Sequence, residues 1–596
     1  MQTIKTEFMT AADSFVRQAD GQMSKQAVVK SDWQGEEIFF RVWNEGDQPV
    51  TVKELVLFKG AWPFTADTRF YGEGYSKLSQ YGGTIGEPRM IGGYDDRKHY
   101  KMPATDGFFT AYHFVLLSPG SEEEGYLLLG FTSCKRFTGE IRLADGHFEI
   151  VLDGEQLVLE PGQSWELESF AIDFDQEREA LLERYAAAIK QHHPMLPTAS
   201  IPNGWCSWYC FGPEVTEQNI FDNMEAIAKQ VPQLKYIQID DGYQAYMGDW
   251  LSPGASFSDM QALCQQIKRA GFEPAIWVAP FIAQAESAVF REHPDWFIQD
   301  DNGQPLASNA ITFGGWRNGP WYMLDGTHPG AQNYLRHVFR TMREEWGSHY
   351  FKLDANMWGA IPGGRRFDPK ASKVEAYRRG MAAVLEGAGE DSFLLGCNAP
   401  MWPSLGTVHG MRVTNDIERH WSSVTGLAYE GFHRNWQHNR LWVNDPDCLV
   451  LENKVISVVN PDGTIRQTST PLSEDEFQFH AAYVVATGGM VLSGDDLAAI
   501  SANKLEMLKK AASTRNIAAK FEDDRFIIGV VSEPERTLYC LFNWGDEPQT
   551  LTIQLTQPGR MEDFWSGQQL GQYQGPFTLD GMAPHSARII ACYPST

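Results

Sequence analysis

The chain has 596 residues, 43% hydrophobic and 21% charged, with a formal net charge of -27 at neutral pH. That length exceeds what a single hydrophobic core serves, so two to four domains are expected. The acidic balance excludes the basic face that nucleic acid or an anionic membrane surface would require.

The opening residues, Met1 to Glu7, lack the apolar core of a signal peptide, and no uninterrupted run is long enough to span a bilayer. Eight cysteines, from Cys134 to Cys592, follow neither a disulfide framework nor a zinc-ligand spacing. Free thiols in a reducing cytoplasm are the expectation. The 19 Trp and 21 Tyr supply flat rings with a polar tip, which suit sugar faces as well as protein cores.

Residues 1–195 show short alternating runs separated by Gly, Asn and Asp turns, at 37–43, 50–57, 126–131, 148–152 and 165–172. This pattern predicts an antiparallel β-sandwich. Within it, Phe70 to Tyr75 reads first as a surface loop, with the alternative that it reaches over a pocket. A helix over 176–191 leads into a linker bearing Pro194 and Pro197.

From about residue 200 strands and helices alternate. Strands are predicted at 203–209, 236–240, 273–280, 349–354, 393–397, 411–414, 441–444 and 490–493. Between them, Thr216 is placed to cap a helix carrying Ile220, Met224, Ile227 and Val231 on one face. Further helices are expected at 258–270, ending at Gly271, at 328–346, at 374–385 and, after the last strand, at 499–514. Eight such strands within 196–518 describe a (β/α)₈ TIM barrel, with chemistry at the strand C-termini. Alternation returns at 525–531, 537–542, 549–553 and 587–592, so 519–596 reads as a small C-terminal β-sandwich.

The polar residues at the predicted strand ends are Trp208, Asp240, Asp241, Trp277, Lys352, Asp354, Cys397, Asn398, Arg412, Asp416, Asp445, Asp447, Asp495 and Asp496. Lys352 and Asp354 share a face of their strand, and a cation there would keep Asp354 ionised; an internal ion pair that only orders the strand is the competing reading. No His-x-x-His or phosphate-loop pattern occurs, so no metal and no cofactor are expected. Acidic strand ends lined with aromatics point to glycoside cleavage, which needs one ionised and one proton-bearing carboxylate. Asp354 fits the first role and Asp416 the second. Arg412 conflicts with the second role, because a nearby cation lowers the pKa a general acid needs raised. A simple Arg412–Asp416 pair is the alternative.

The motifs Asn203-Gly204-Trp205-Cys206-Ser207-Trp208-Tyr209, Gln238-Ile239-Asp240-Asp241-Gly242-Tyr243-Gln244, Gly248-Asp249-Trp250 and Lys352-Leu353-Asp354 resemble those of the retaining α-galactosidases of glycoside hydrolase family 36, in clan D. The runs 324–329, 396–397, 410–416 and 442–447 extend the resemblance, in the family's order, over 203–447. It implies Asp354 as nucleophile and Asp416 as acid/base. It further implies Asp240 and Asp241 on the 4- and 6-hydroxyls of galactose, Lys352 and Arg412 as ring-hydroxyl donors, Trp205 and Trp277 as pocket walls, and Cys397 beside the 2-hydroxyl. Core packing is the competing reading of the two tryptophans. After Cys397 the sequence reads Asn398-Ala399-Pro400-Met401-Trp402, not the glycine-rich run of larger members, so it is similar to the compact, short-chain type. Asn398 could bond either galactose or N-acetylgalactosamine. The expected activity is release of terminal α-galactose from small oligosaccharides of the melibiose or raffinose type. A raffinose-synthase-like galactosyl transferase, an α-N-acetylgalactosaminidase and a catalytically dead sugar-binding protein are the alternatives. A homo-oligomer is compatible with the sequence, which does not decide it.

Overall fold

A computed structural model of the chain describes residues 14–594, apart from 62–63, 119–124, 145, 455–456, 460–464, 468–470 and 556. Its centre is a parallel eight-stranded sheet. In chain order the strands are Asn203–Cys206, Tyr236–Ile239, Glu273–Val278, Tyr350–Leu353, Phe393–Gly396, Gly410–Arg412, Val443–Asp445 and Val491–Ser493. They pair in sequence, and the eighth returns to the first in register Asn203↔Val491. The seventh and eighth close the ring through Met490 N–H to the Asn444 carbonyl (2.9 Å) and Leu449 N–H to the Leu492 carbonyl (2.8 Å). The expected barrel is therefore present.

The barrel helices form where the local chemistry starts and stops them. The helix Glu217–Gln230 opens on a capping box, Thr216 and Asn219 satisfying each other's backbone N–H groups, worth about 1 kcal/mol. Ser372 with Glu375, and Ser473 with Glu476, repeat the device at Lys373–Ala388 and Glu474–Thr487. The helix Pro329–Glu344 turns Leu335, Val338, Phe339 and Met342 inward, as the spacing of its apolar residues predicts.

One expected unit is missing. Between the fifth and sixth strands there is only a single short turn of 3₁₀ helix, Trp402–Ser404. Pro400 and Pro403 remove two backbone donors from a short connection, which blocks an α-helix there. The N-terminal sandwich occupies the vacant place. Ser76 and Pro400 form an antiparallel bridge. Lys77 N–H donates to the Ala399 carbonyl (3.1 Å) and Met401 N–H to the Tyr75 carbonyl (2.9 Å). Trp402, fully buried, donates its indole N–H to the Phe131 carbonyl (2.8 Å) and stacks on His113.

That sandwich has a five-stranded sheet built on Val50–Ala61 and His147–Leu159, facing a larger one of nine strands. The strand Arg69–Glu73 lies inside the larger sheet, paired with Phe114–Ser118 and Gln80–Gly83, so Phe70 to Tyr75 is not a surface loop. Glu73 forms a wholly buried ion pair with Arg434, which also donates to the Lys77 and Val413 carbonyls. At the C-terminal end a six-stranded antiparallel sheet, led by Thr537–Asn543 and Ser586–Pro594, packs with the two-stranded sheet of Gln549–Gln554 and Pro576–Met582 around a separate small core.

Candidate active site

A cavity of about 1200 Å³ opens over the C-terminal ends of the barrel strands. Asp240, Asp241, Trp277, Lys352, Asp354, Asn398 and Asp416 line it, together with Trp208. Its outer walls come from elsewhere: residues 78–100 of the N-terminal sandwich, Phe313 and Trp316 from the long excursion after the third strand, and the helix Trp421–His433. Phe313 stacks on His99 and meets Trp358 edge-on, as do Trp316 and Trp321, which makes one side an aromatic wall.

Asp354 follows the fourth strand, where Ala355 adopts a left-handed backbone (φ 52°) and ends the extended run. Its carboxylate accepts the Trp277 indole N–H (3.1 Å), the Asn398 amide (2.7 Å) and the Ala355 N–H (2.7 Å). Every one of these donors is neutral. The expected Lys352–Asp354 pairing is not the one formed: Lys352 Nζ bonds Asp240 at 2.9 Å. Burial opposes the charge on Lys352, but Asp240 and, more weakly, Asp354 hold its pKa well above the ordinary value. Asn398, also left-handed (φ 40°), spends its amide on Asp354.

Asp240 also accepts from Gln238 (2.7 Å), and its other oxygen takes the Asp241 N–H (3.0 Å). Asp241 is gripped by Arg317, Nε at 2.8 Å and one terminal nitrogen at 2.5 Å. Gln244 completes that side (2.7 Å). Gly242, at φ 127° with Pro213 backbone pressed against it, is the sharp exit that lets adjacent aspartates face one space.

Asp416 sits in a different field. Its side chain is 58% exposed, into the cavity, and two cations flank it: Arg412 at 2.8 Å and Lys77 at 3.5 Å. Burial raises its pKa, but Lys77, then Arg412, then Lys352 outweigh that and hold the carboxyl far below the usual carboxylate range. Arg412 is itself buried and shared. It bonds Asp447 at 2.6 Å and the Tyr209 hydroxyl at 3.3 Å. Burial first, then the carboxylates Asp416 and Asp445, push Asp447 up to about 6 against the pull of Arg412. Beside Asp416, Glu430 accepts both the backbone N–H (2.5 Å) and side-chain amide (2.6 Å) of Asn415. Burial pushes Glu430 up to about 7.

Three expected site residues do not reach the cavity surface. Trp205 is wholly buried and donates to the Asp495 carbonyl (2.8 Å). Cys206 Sγ lies 3.5 Å from Asp240, so by strand alternation Cys206 takes the interior and Trp205 the opposite face. Cys397 lies under Arg412 (4.0 Å), with its thiol pushed up to about 12 by burial and Asp354. Arg412 works one layer below the cavity, through Asp416. Asp445, Asp447, Asp495 and Asp496 support loops: Asp495, for example, pairs with Arg419 at 3.0 Å.

Sequence reasoning missed Lys77, Arg317 and Glu430. Arg317 had a signal, since Phe313-Gly314-Gly315-Trp316-Arg317-Asn318-Gly319 is a glycine-dense aromatic run of the kind that lines pockets. Lys77 had none, because nothing local to it shows which barrel loop it enters. Among the described residues no group of three or more His, Cys, Asp or Glu is disposed to hold a metal ion.

Residues 219–387 match the model of the Melibiase family. That stretch is similar to a Melibiase domain. The chain is 26% identical over 160 residues to a myogenesis-regulating glycosidase of Mus musculus, covering 26% of this chain and 22% of that one. It is 29% identical over 293 residues to an A type blood α-D-galactosamine galactosaminidase of Flavonifractor plautii, covering 46% of this chain and 26% of the relative. The matches thus span about a quarter of these relatives' own lengths. In fold it resembles the GH36 α-galactosidase AgaA of Geobacillus stearothermophilus, with TM-score 0.66 at 14% identity over 98% of this chain and 89% of that one. That likeness in fold covers the barrel and its flanking sandwiches.

Proposed function

We propose that the chain is a retaining, exo-acting α-galactosidase that releases terminal α-linked galactose from small galactosides of the melibiose and raffinose type. The observation that carries this is the shared cavity: Asp354 and Asp416, from different strand ends, line it together with the fixed acceptor pair Asp240 and Asp241. Asp354 attacks the anomeric carbon. Asp416 protonates the departing oxygen and then deprotonates the water that releases galactose with its α configuration. Asp240 and Asp241, anchored by Lys352 and Arg317, accept from sugar hydroxyls, and Trp277 forms the floor. Asn398 serves first as an orienting donor to Asp354, and Cys397, Arg412 and Trp205 act from behind the surface. The outer part of the cavity, beside Trp208, Tyr94 and the helix Trp421–His433, receives the leaving sugar, since the volume exceeds that of a typical small-ligand pocket.

We divide the chain at about 195/196 and 518/519, on the change from antiparallel to parallel pairing and back. All eight cysteines are unpaired and buried, which suits the reducing cytoplasm. Among the described residues no helix is long and apolar enough to cross a membrane.

A panel of aryl α-glycosides (galactose, N-acetylgalactosamine, glucose) with β-L-arabinopyranoside, read by NMR for the anomer first released, tests the reading. It expects galactose preferred and α-galactose first. A first product of inverted configuration, preference for the N-acetyl sugar, or transfer to excess sucrose in place of hydrolysis would contradict it.

A further inference from the structure

Lys77 belongs to the sandwich, not the barrel, yet it is wholly buried at the barrel mouth. Its Nζ donates to the Thr414 carbonyl (2.9 Å) and stands 3.5 Å from the Asp416 carboxylate. The segment carrying it is fixed on both sides. Asp96 accepts the N–H groups of Tyr75 (2.8 Å) and Ser76 (3.1 Å) and the Ser76 hydroxyl (2.6 Å). On the other side Arg434 donates to the Lys77 carbonyl (2.7 Å) and the Asn415 amide donates to the Leu78 carbonyl (3.3 Å). With its backbone fixed and its Nζ on the Thr414 carbonyl, the buried ammonium is held beside the carboxylate.

We infer that Lys77 is a positioning residue of the acid/base step, lent by the N-terminal sandwich: it favours the ionised form of Asp416 that takes the proton of water, and so sets the pH above which the leaving group goes unprotonated. This rests on the proposed role of Asp416. The charged and titratable groups facing Asp416 are Lys77 from the sandwich, Arg412 on its own strand and loop, Lys352 from the fourth strand, Tyr209 after the first and Asp447 after the seventh. Arg412 is already divided between Asp416 and Asp447, so its charge is partly neutralised. Lys77 faces a carbonyl and Asp416, and Asp416 is the one carboxylate in ion-pair range of it among the described residues. The inner carboxylates thus leave Lys77 as the more fully available cation.

The test compares the full-length protein with Lys77→Gln, which can still donate to Thr414, with Lys77→Met, and with the charge-keeping Lys77→Arg; near-UV circular dichroism selects the folded variants. Two readouts are taken. The first is the alkaline limb of kcat/KM on melibiose against an aryl α-galactoside. The second is the Asp416 titration in protein carrying ¹³Cγ-aspartate, assigned by its loss in Asp416→Asn. The inference expects either neutral variant to move the carboxyl titration and the melibiose limb up by about one pH unit or more, the aryl limb less, and Lys77→Arg to leave both in place. A folded neutral variant with an unmoved Asp416 titration overturns it. If Asp416 moves but no α-galactoside is cleaved by the parent protein, Lys77 keeps its electrostatic effect, while the acid/base role and the functional proposal with it are overturned.

Discussion

The ends of the fourth and sixth barrel strands carry carboxylates in opposite settings. Asp354 is enclosed and held by three neutral donors, an indole, an amide and a backbone N–H. Asp416 is open to the cavity and held between two cations on separate domains. Neutral donors fix a carboxylate's direction while leaving it free to give up its charge to a bond with carbon. Cations favour its ionised form, which suits the step that takes a proton and opposes the step that donates one. In the proposed mechanism the fourth strand carries the nucleophile and the sixth the acid/base.

The comparison can be broken by removing each environment in turn. Asp416→Ala is expected to lower kcat/KM on melibiose by about 10²- to 10⁴-fold, the usual scale of general acid catalysis. Its effect on an aryl galactoside with a good leaving group should be far smaller, and azide should restore turnover as a galactosyl azide. Equal losses on both substrates would remove the acid/base assignment. Arg434→Ala breaks the buried pair with Glu73 that locks the sandwich to the barrel, and calorimetry should show about 3–5 kcal/mol lost. A change below 1 kcal/mol would mean the two units hold together without it.

Glu430 sharpens the pH side. Its folded pKa of about 7 stands above the ordinary 4.5, so the native state binds the extra proton. Its contribution is present below 4.5 and is lost as pH rises from there through 7, a fall on the order of 3 kcal/mol. Glu430→Gln should flatten that part of the stability profile in urea titrations, and a slope unchanged by the substitution would refute the linkage. The smallest effect is expected from Arg317→Lys, which gives up the two-point grip on Asp241. It should raise KM for galactosides by about tenfold with little change in kcat, near 1.4 kcal/mol; a fall confined to kcat would move Arg317 into the chemical step.

Much of this was legible in the sequence for identifiable reasons. Capping residues such as Thr216 and Ser372 and stripes such as Leu335 to Met342 encode barrel helices locally. Carboxylates at strand ends stand out because strands rarely end in so many. What local pattern cannot carry is contact between distant segments. Trp205 and Trp277 look alike in sequence, and only the register of their strands sends one outward and one to the cavity floor. Lys352 had two aspartates within reach, and the barrel's curvature chose Asp240. The missing fifth helix has a local cause in Pro400 and Pro403 that the count of eight units overlooked, and nothing local shows that the sandwich fills its place, bringing Lys77.

The most direct measurement is to trap the glycosyl-enzyme with a fluorinated galactosyl fluoride that forms the intermediate quickly and releases it slowly, then sequence the labelled peptide by mass spectrometry. The account predicts a single galactosyl ester on Asp354, abolished in Asp354→Ala and still formed in Asp416→Ala. An ester on Asp416 or any other carboxylate, or slow turnover that never produces a covalent adduct, would contradict it.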